Sequence, residues 1–355
     1  MTLALQSDQA VDALTAVDAR LADYFADAHP LVARHGPLFL RLWDEVAAST
    51  VGGKRFRPAL VVDTHRALGG EAEAEAIATG TAVELLHTSF LLHDDVIDGD
   101  TVRRGRPNLI GSLARDARQG GLGRSDALAW ARSAAILAGD LVLHSAQAMV
   151  ARLDLDGPRR HRLLDLFEES VFVTAAGELL DVAFSAGVSE PTAADVLAMT
   201  EWKTAHYSFE APLAAGAILA GASDATIATL TRYGRRVGLA FQLRDDLLGM
   251  FGSESVTGKS TLSDLRGTKM TALAAFAHDS PFGAEFREAI AESDPSEALA
   301  RARAVLVSCG GQVYVEELIE AQVRSAVDVI DAGGLPDELH EYLVDVADRA
   351  TRRTS

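Results

Sequence analysis

The sequence predicts an all-α protein, and two observations support this prediction. Apolar residues recur at helical spacing through almost the whole chain, for example at Leu163, Leu166 and Phe167. Runs of alternating apolar and polar residues bounded by turn residues, which would indicate strands, are hard to find. We therefore expect a series of helices joined by short connections.

Local signals indicate where individual helices begin and end. Asp294-Pro295-Ser296-Glu297 combines an acidic N-cap, a proline at the first helical position and a glutamate three residues after the cap, so a helix should begin there. Glycine pairs fall between the periodic segments and suit connections between helices. These pairs are Gly52-Gly53, Gly69-Gly70, Gly120-Gly121 and Gly333-Gly334. Because we find no fixed-period repeat and no low-complexity tract, we expect one all-α domain over residues 1–355.

Composition and charge restrict the possible classes of function. The chain has 355 residues, of which 48% are apolar and 24% are charged, as is ordinary for a soluble globular protein. Its formal net charge is −18, from 33 basic and 51 acidic residues, which disfavours binding to nucleic acid or to an anionic membrane surface. An anionic substrate must therefore be met by a local group of cations.

Cysteine content and apolar run length indicate the compartment. Cys309 is the sole cysteine, so no intramolecular disulfide can form, and we expect it to be a small buried core residue rather than a nucleophile. The longest apolar stretch, residues 211–222, is too short to span a bilayer, and the N-terminal segment is acidic rather than basic. We expect a cytoplasmic protein that is not integral to a membrane, with peripheral membrane contact left open.

Two acidic clusters each end a long apolar stretch. They are Asp94-Asp95-Val96-Ile97-Asp98 and Asp245-Asp246-Leu247-Leu248-Gly249. On a helix Asp94 and Asp98 lie within about 40° of one another, whereas Asp95 points roughly 100° away. Magnesium prefers oxygen ligands and is usually held by one or two carboxylates together with substrate phosphates. A lone cluster would more often be a solvated turn, but two clusters could hold one diphosphate from both sides.

Basic residues in unusual settings complete this pattern. The chain is rich in arginine and has only four lysines, each with a glycine or hydroxyl neighbour: Lys54, Lys203, Lys259 and Lys269. Compact ammonium groups bind phosphate well as point charges, while arginine offers a planar fork. Arg103-Arg104-Gly105 follows the first acidic cluster closely enough to reach a diphosphate held there. The alternative that the lysines are solvated surface charges remains open.

Together these residues resemble the motifs of the trans-type isoprenyl diphosphate synthases, also called polyprenyl synthetases, and most closely a bacterial geranylgeranyl diphosphate synthase. The matching segments, besides the two acidic clusters, are Gly53-Lys54-Arg55-Phe56-Arg57-Pro58, Glu84-Leu85-Leu86-His87, Arg103-Arg104-Gly105, Gly139-Asp140, Lys203-Thr204, Phe241-Gln242-Leu243-Arg244 and Thr257-Gly258-Lys259. The resemblance implies a single all-α bundle of the isoprenoid synthase type around a deep apolar cavity, with both acidic motifs at its mouth.

The resemblance also implies roles for individual residues. The implied magnesium ligands are Asp94, Asp98 and Asp245, with Asp95 and Asp246 in support. The implied contacts to an allylic diphosphate are Arg103, Lys203, Thr204, Gln242 and Lys259, with Lys269 closing that pocket. The implied site for isopentenyl diphosphate consists of Lys54, Arg57, His87 and Arg104. His87 could instead be a core histidine with a satisfied ring.

The implied reaction is a prenyl transfer. The allylic carbon–oxygen bond of a dimethylallyl, geranyl or farnesyl diphosphate ionises with electrostatic help from magnesium and cationic side chains. The double bond of isopentenyl diphosphate then attacks, and a proton is lost to the released pyrophosphate. No protein nucleophile is needed, in agreement with the lack of a persuasive catalytic triad in the sequence. The resemblance also implies a homodimer.

The sequence departs from the motifs of the family at two positions, and it leaves the length of the product open. Gly249 stands where many relatives have a third aspartate, and we expect little loss from it. Asn108 stands where threonine or serine is commoner, with no consequence that the sequence predicts. Product length in the family depends on residues about one turn before the first motif, here Ser89 and Phe90. Small Ser89 favours a C20 geranylgeranyl product, while C15 and C25 products remain open.

Three rival hypotheses remain. His93-Asp94 is also compatible with a metal-dependent phosphohydrolase, although such sites need further histidine ligands. Terpene cyclases carry a similar first acidic motif but would have no use for the isopentenyl site. A catalytically inactive partner subunit is the non-enzyme alternative. Consumption of isopentenyl diphosphate distinguishes the prenyltransferase from the two rival enzymes, and the intact acidic motifs argue against the inactive subunit.

Overall fold

The computed structural model describes residues 8–252 and 269–352, and most of these residues are helical, which confirms the predicted class. The helices are α1 (Asp8–Ala33), α2 (Pro37–Thr50), α3 (Phe56–Ala67), α4 (Glu73–Ile97), α5 (Leu109–Gln119), α6 (Arg124–Ala151), α7 (Gly157–Ser185), α8 (Ala193–Thr200), a π-helix (Glu201–Glu210), α9 (Ala211–Leu219), α10 (Asp224–Phe251), α11 (Ala272–Asp279), α12 (Gly283–Ile290), α13 (Pro295–Ser308), α14 (Gly311–Asp331) and α15 (Asp337–Thr351). A short hairpin of β1 (Val102–Arg103) and β2 (Arg106–Pro107) follows α4.

The predicted helix boundaries are found where the sequence signals placed them. Asp294 caps α13, because its side chain accepts hydrogen bonds from the backbone N–H groups of Ser296 and Glu297. The four glycine pairs lie in the connections between consecutive helices, after α2, α3, α5 and α14. Short-range signals were therefore sufficient to define these ends.

The chain divides into two compact units, each described by itself below. Unit 1 consists of Met1–Asp165 and Ala215–Ala222, and unit 2 consists of Leu166–Ala214 and Ser223–Ser355. The predicted single domain over the whole chain stays a prediction.

Unit 1 is built around α3 and α4. Nearly every side chain of α3 is buried, and α3 packs against α4, which packs in turn against α6. Two glycines allow close helix contacts. A methyl group at Gly80 would lie 3.3 Å from Pro58, and one at Gly139 on α6 would overlap the imidazole ring of His93 on α4. The C-terminal part of α4, which carries the first acidic motif, is thus held firmly against α6.

Unit 2 is built around α10. This helix packs against the π-helix, α14 and α15, and a buried apolar core extends from it through α11, α12, α13 and α14. Gly234 and Gly238, one turn apart, let α10 approach the π-helix closely, because side chains there would overlap Glu210 and Ala205. Cys309 packs against this core with a free thiol but is half-buried rather than fully buried as expected, because it lies at the C-terminal end of α13, at the edge of the core.

Among the described helices, α6 is long and apolar enough to cross a membrane by the measure of length and hydropathy alone. Core helices of globular proteins share this property, so it is weak evidence for a membrane span. Here α6 packs against both α4 and α5.

Candidate functional site

The first acidic motif forms the last turn of α4. Asp95 is 3% exposed, Asp94 is half-buried, and Asp98, the C-cap residue, is exposed. The structure therefore places Asp94 and Asp98 on the accessible side and Asp95 on the inner side, and helical geometry had predicted that Asp95 points away from the other two. Carboxylates at a helix C-terminus are disfavoured by the helix dipole, so this position needs nearby positive charge.

Arg103 supplies part of that charge from β1. Its Nη2 donates to Asp95 Oδ1 at 2.6 Å and to Asp94 Oδ2 at 3.2 Å, and its Nε donates to Asp95 Oδ1 at 3.0 Å. Burial raises the pKa of the Asp95 carboxyl, while Arg103 opposes this rise. Burial acts to lower the pKa of Arg103, but the hydrogen bond and charge of Asp95 raise it. The guanidinium is thus a fixed cation beside the Asp94 and Asp95 carboxylates.

Asn108 connects the motif to α5, which accounts for the departure seen in the sequence. Its Oδ1 accepts a hydrogen bond from Gly111 N at 2.9 Å and so caps α5, and its Nδ2 donates to the Asp100 carbonyl at 2.9 Å. A hydrogen bond from Asn108 to Asp95 also favours the ionised carboxyl. An amide can both donate and accept in this way, so asparagine is suited to the position.

Three of the residues predicted to bind isopentenyl diphosphate come together in unit 1. Burial, followed by the positive charges of Arg57 and Arg104, lowers the pKa of His87 well below its usual value, so its imidazole is neutral. The Arg104 guanidinium lies against Gly53, 3.5 Å from where a Cβ would stand, and the Arg57 guanidinium lies 4.4 Å from the centre of the Phe56 ring. Lys54, next to Gly53, is exposed.

We call Lys54, Arg57, His87 and Arg104 the basic group of unit 1. Arg104 of this group and the neighbouring Arg55 have left-handed backbone conformations, with φ 53° at Arg104 and φ 50° at Arg55. Such angles are uncommon outside glycine and persist only where surrounding contacts enforce them. Arg104 occupies the turn of the β1–β2 hairpin, whose register pairs Arg103 with Arg106. The hairpin thereby directs Arg103 and Arg104 to different partners, Arg103 to the acidic motif and Arg104 to Gly53.

Arg55 is a structural residue of the site for which the sequence suggested no role. Its buried guanidinium donates to Asp18 Oδ1 at 2.7 Å, to Glu84 Oε1 at 2.5 Å and to the Thr50 carbonyl at 2.5 Å. It thus ties α1, α2 and α4 to the start of α3. One signal was available, because Glu84 stands in the otherwise apolar run of α4 and a buried carboxylate requires a partner.

In unit 2, Lys203 and Thr204 lie on the π-helix, and both are half-buried. The Lys203 ammonium lies 2.8 Å from Glu178 Oε2 and 2.5 Å from Asp181 Oδ2, both on α7. These two acids were missed in the sequence. Their spacing of three residues, which places them on one side of a helix, was the only local signal.

The second acidic motif lies near the end of α10. Gln242 Nε2 donates to Asp246 Oδ1 at 2.9 Å, which supports the second carboxylate of the motif, and Asp245 is half-buried. Gly249 follows about one turn later in the same helix. Lys269 is half-buried, and its carbonyl accepts from Thr271 N at 3.0 Å. Lys259 lies outside the described residues.

The two positions expected to influence product length differ in exposure. Ser89 has no accessible surface, and its Oγ donates to the Gly139 carbonyl of α6 at 2.9 Å. Phe90 is half-buried. The expected effect of these side chains on product length stays a prediction, and Phe90 is the one of the two that retains accessible surface.

A cleft of about 780 Å³ lies elsewhere in unit 1, between α1, α2, α4 and α6. On α4 it is lined by Ala74, Glu75 and Ala78, at the end of the helix opposite the acidic motif. Ala78 and Asp94 are separated by roughly 24 Å along the helix. None of the predicted site residues lines this cleft.

The donor set of the first acidic motif fits magnesium. Asp94 and Asp98 offer oxygen ligands one turn apart on the accessible side of α4, which is the ligand chemistry that magnesium prefers. Within residues 8–252 and 269–352, no cluster of three or more acids, histidines or cysteines could form a metal site from protein alone. One or two carboxylates per ion, completed by phosphate oxygens, is the usual arrangement for magnesium.

Comparison with known proteins identifies the family. A family model described as polyprenyl synthetase matches residues 41–306. The chain is 33% identical over 283 residues to geranylfarnesyl diphosphate synthase of Aeropyrum pernix, covering 79% of this chain and 83% of the relative. It is 33% identical over 302 residues to (2E,6E)-farnesyl diphosphate synthase of Mycobacterium tuberculosis, covering 83% of this chain and 78% of the relative.

Among solved structures, a geranylgeranyl pyrophosphate synthase from Corynebacterium glutamicum, complexed with isoprenyl diphosphate and magnesium, superimposes with a TM-score of 0.88. The two chains are 29% identical, and the match covers 95% of this chain and 97% of the other. The isoprenyl synthase fold implied by the motifs is therefore confirmed. The chain belongs to the polyprenyl synthetase family and is a trans-prenyltransferase.

Proposed function

We propose that this prenyltransferase condenses isopentenyl diphosphate with an allylic diphosphate in the presence of magnesium to give a short all-trans polyprenyl diphosphate, chiefly the C20 geranylgeranyl product. The observation that carries the proposal is the arrangement in unit 1. There, Asp94 and Asp98 stand on the accessible side of α4, Arg103 donates to Asp94, and the positive charges of Arg57 and Arg104 lie near a neutral His87.

The residues of unit 1 take two roles in this proposal. Asp94 and Asp98 hold magnesium, while Asp95, bonded to Arg103, keeps that guanidinium at the edge of the metal site. The side chains that hold isopentenyl diphosphate are Lys54, Arg57, His87 and Arg104. A neutral imidazole can still donate one N–H hydrogen bond to a phosphate oxygen, and it adds no repulsion toward the neighbouring arginines.

The residues of unit 2 act on the allylic diphosphate. Its oxygens are contacted by Lys203, Thr204, Gln242 and Lys259, and Lys269 completes the pocket. Asp245 provides a metal ligand, and Asp246, held by Gln242, supports it. Bound magnesium neutralises the negative charge that develops on the departing pyrophosphate.

The protein stabilises charge and does not form a covalent bond to substrate. As the allylic carbon–oxygen bond breaks, Arg103 and Lys203 meet the negative charge on the leaving oxygens, and this electrostatic stabilisation lowers the barrier. The π-electrons of isopentenyl diphosphate form the new carbon–carbon bond, and the proton lost afterwards passes to the released pyrophosphate. This scheme requires no nucleophilic side chain.

Product length is the finer part of the proposal. Ser89 and Phe90 would influence how deep the growing chain can extend, with Phe90 the side chain that retains accessible surface. The relatives named for C15 and C25 products are equally similar to this chain, so their names alone do not favour one length. A C15 or C25 product is the alternative outcome.

We propose further that the protein is a homodimer in the cytoplasm, with no nucleic acid partner. Trp130, Ile136 and Leu137 on α6 are large apolar residues with substantial exposure, and such side chains are typical of a surface that a partner covers. Sedimentation of the purified protein measures this directly, and a monomer at micromolar concentration would contradict it.

One assay tests the reaction. Purified protein is incubated with magnesium, isopentenyl diphosphate and dimethylallyl, geranyl or farnesyl diphosphate, and the products are identified by chromatography. We expect consumption of isopentenyl diphosphate and chiefly C20 product. Phosphate release without isopentenyl diphosphate would indicate a phosphohydrolase, cyclic hydrocarbons a terpene cyclase, and no turnover an inactive subunit.

A further inference from the structure

We propose that Glu178 and Asp181 of α7 compete with the substrate diphosphate for the ammonium group of Lys203 and recapture it as pyrophosphate leaves. The proposal rests on the proposed function, because it takes Lys203 to be a diphosphate contact. It assigns a role to two acids outside both acidic motifs. That role is to limit how tightly the pyrophosphate product is held.

The three side chains form a compact charged group. The Lys203 Nζ lies 2.5 Å from Asp181 Oδ2 and 2.8 Å from Glu178 Oε2. The Asp181 side chain is 10% exposed, and those of Glu178 and Lys203 are 19% and 20% exposed. The ammonium therefore has two close carboxylate partners in a partly desolvated position, where charge-assisted hydrogen bonds are strong.

The backbone around Lys203 is fixed, so only its side chain can change partners. A methyl group at Gly177 on α7 would overlap the backbone nitrogen of Lys203, which shows that the two backbones are in direct contact there. The wide turns of the π-helix present this residue to α7, and π-helices frequently occur at functional sites. Rotation of the flexible lysine stem moves the ammonium while its Cα stays in place.

The charge balance predicts competition. One ammonium and two carboxylates carry a net charge of −1, so a diphosphate that approaches Lys203 also meets two like charges. An ammonium has three N–H donors, but those directed at a phosphate oxygen cannot simultaneously serve both acids at full strength. Diphosphate binding therefore weakens at least one existing ion pair, and the partly buried carboxylate that loses its partner is destabilised.

This competition has a kinetic consequence. When pyrophosphate begins to leave, the carboxylates regain their ion pair with Lys203, which favours the released state. If product release limits turnover, removal of the competing charges lowers kcat. The same change lowers KM for the allylic substrate, because fewer carboxylate charges then compete with the diphosphate for the Lys203 ammonium.

A purely structural role predicts the opposite result. If Glu178 and Asp181 only orient the Lys203 ammonium toward the diphosphate, their neutralisation removes this orientation and weakens diphosphate binding. The direction of the affinity change therefore distinguishes competition from support. Substitution by the isosteric amides, Glu178→Gln and Asp181→Asn, removes charge with little change of shape.

The test is calorimetric titration of the purified enzyme with inorganic pyrophosphate in the presence of magnesium. We expect each amide variant to bind pyrophosphate about three- to tenfold more tightly than wild type, in line with the loss of one competing charged hydrogen bond. The matched control is Glu168→Gln, an exposed acid on the same helix, which should leave the affinity unchanged. Thermal unfolding verifies that the variants fold.

A Lys203→Gln variant distinguishes failure of the proposed diphosphate contact of Lys203 from failure of the proposed competition by the two acids. If wild type and Lys203→Gln bind magnesium pyrophosphate equally, Lys203 is not a diphosphate contact and that part of the proposed function fails. If Lys203→Gln weakens binding while the amide variants bind as wild type or more weakly, the competition is refuted and the contact stands. Glu178→Gln is the more exposed change, so it decides the matter if Asp181→Asn does not fold.

Discussion

In both units a cation predicted to bind diphosphate lies between two carboxylates, but the carboxylates come from different sources. In unit 1, Arg103 is bonded to Asp94 and Asp95, which belong to the acidic motif itself. In unit 2, Lys203 is paired with Glu178 and Asp181 on α7, separate from the second acidic motif on α10.

This difference indicates how each cation would be released from its carboxylate partners to bind a diphosphate. A metal ion held by Asp94, as proposed, would draw on a carboxylate that also accepts a hydrogen bond from Arg103, so we expect metal binding and the position of Arg103 to be coupled. Glu178 and Asp181, which pair with Lys203, are not predicted metal ligands, so we expect an arriving diphosphate to compete with these two acids for the ammonium. We therefore expect metal binding to change the contacts of Arg103 in unit 1, and diphosphate binding to change those of Lys203 in unit 2.

The largest effect is expected when Asp94 is replaced by alanine. This change removes both a metal ligand and a partner of Arg103, so we expect turnover to fall by roughly a thousandfold, as for loss of a principal electrostatic contact. The measurement is consumption of isopentenyl diphosphate at saturating magnesium. Asp126→Ala on the exposed first turn of α6 is the control. Wild-type rates in Asp94→Ala would refute the metal assignment.

Replacement of Arg55 by alanine should have the next largest effect, on stability. The change leaves the buried Glu84 carboxylate without its guanidinium partner, and loss of one partner of a buried ion pair typically costs about 3–5 kcal/mol. Urea unfolding measures this free energy.

The exposed Arg106→Ala variant is the control for Arg55→Ala and should lie within about 0.5 kcal/mol of wild type. If Arg55→Ala unfolds at the same urea concentration as wild type, the contacts of Arg55 with Asp18, Glu84 and Thr50 do not stabilise the fold. Unit 2 offers a contrast, because the Lys203 side chain is more exposed than that of Arg55, and we expect its ion pairs to contribute less to the free energy of unfolding.

The sequence predicted those parts of the site that depend on local spacing. The helical period was enough to place Asp94 and Asp98 on one face of α4 and Asp95 on another, and the structure shows that the shared face is the accessible one. The N-cap signal at Asp294 and the glycine pairs fixed helix ends for the same reason, since they act within a few residues. Family resemblance then supplied the roles that spacing alone could not.

The partners of the cations could not be predicted, because they are distant in sequence. Lys203 meets Glu178 and Asp181 only because Gly177 lets two helices touch, and Arg55 meets Asp18 and Glu84 across three helices. Ion pairs of this kind depend on tertiary packing and leave no periodic signal in the chain. The left-handed backbone conformation of Arg104 could not be predicted from the sequence either, since most arginines avoid it.

Two glycines allow a matched test of how firmly each unit positions its site. Alanine at Gly177 would overlap the backbone of Lys203, whereas alanine at Gly139 would overlap the side chain of His93, which can rotate. Backbone cannot yield as a ring can, so we expect Gly177→Ala to raise KM for the allylic substrate about tenfold and Gly139→Ala to raise it only about two- to threefold. Steady-state kinetics with both variants give the comparison. Equal effects would mean that the close contact at Lys203 is no more rigid than that at His93.

The smallest effect concerns pH and distinguishes His87 from exposed histidines. Burial and the charges of Arg57 and Arg104 hold the pKa of His87 well below its unfolded value of about 6.5, so the unfolded chain binds the additional proton as pH falls. Stability is therefore fully present above about pH 6.5 and is lost below it, by up to about 1.4 kcal/mol per such group between pH 7.5 and 5.5.

Urea unfolding at the two pH values tests this sign. Wild type should lose stability on acidification, and His87→Gln should lose less by about 1 kcal/mol, because glutamine does not titrate. His161→Gln, a change of an exposed histidine, should follow wild type. If His87→Gln keeps the full pH dependence, the imidazole takes up its proton equally well in both states. The basic group of unit 1 would then not be close enough to His87 to keep it neutral, and its proposed role as a neutral donor to isopentenyl diphosphate would be lost.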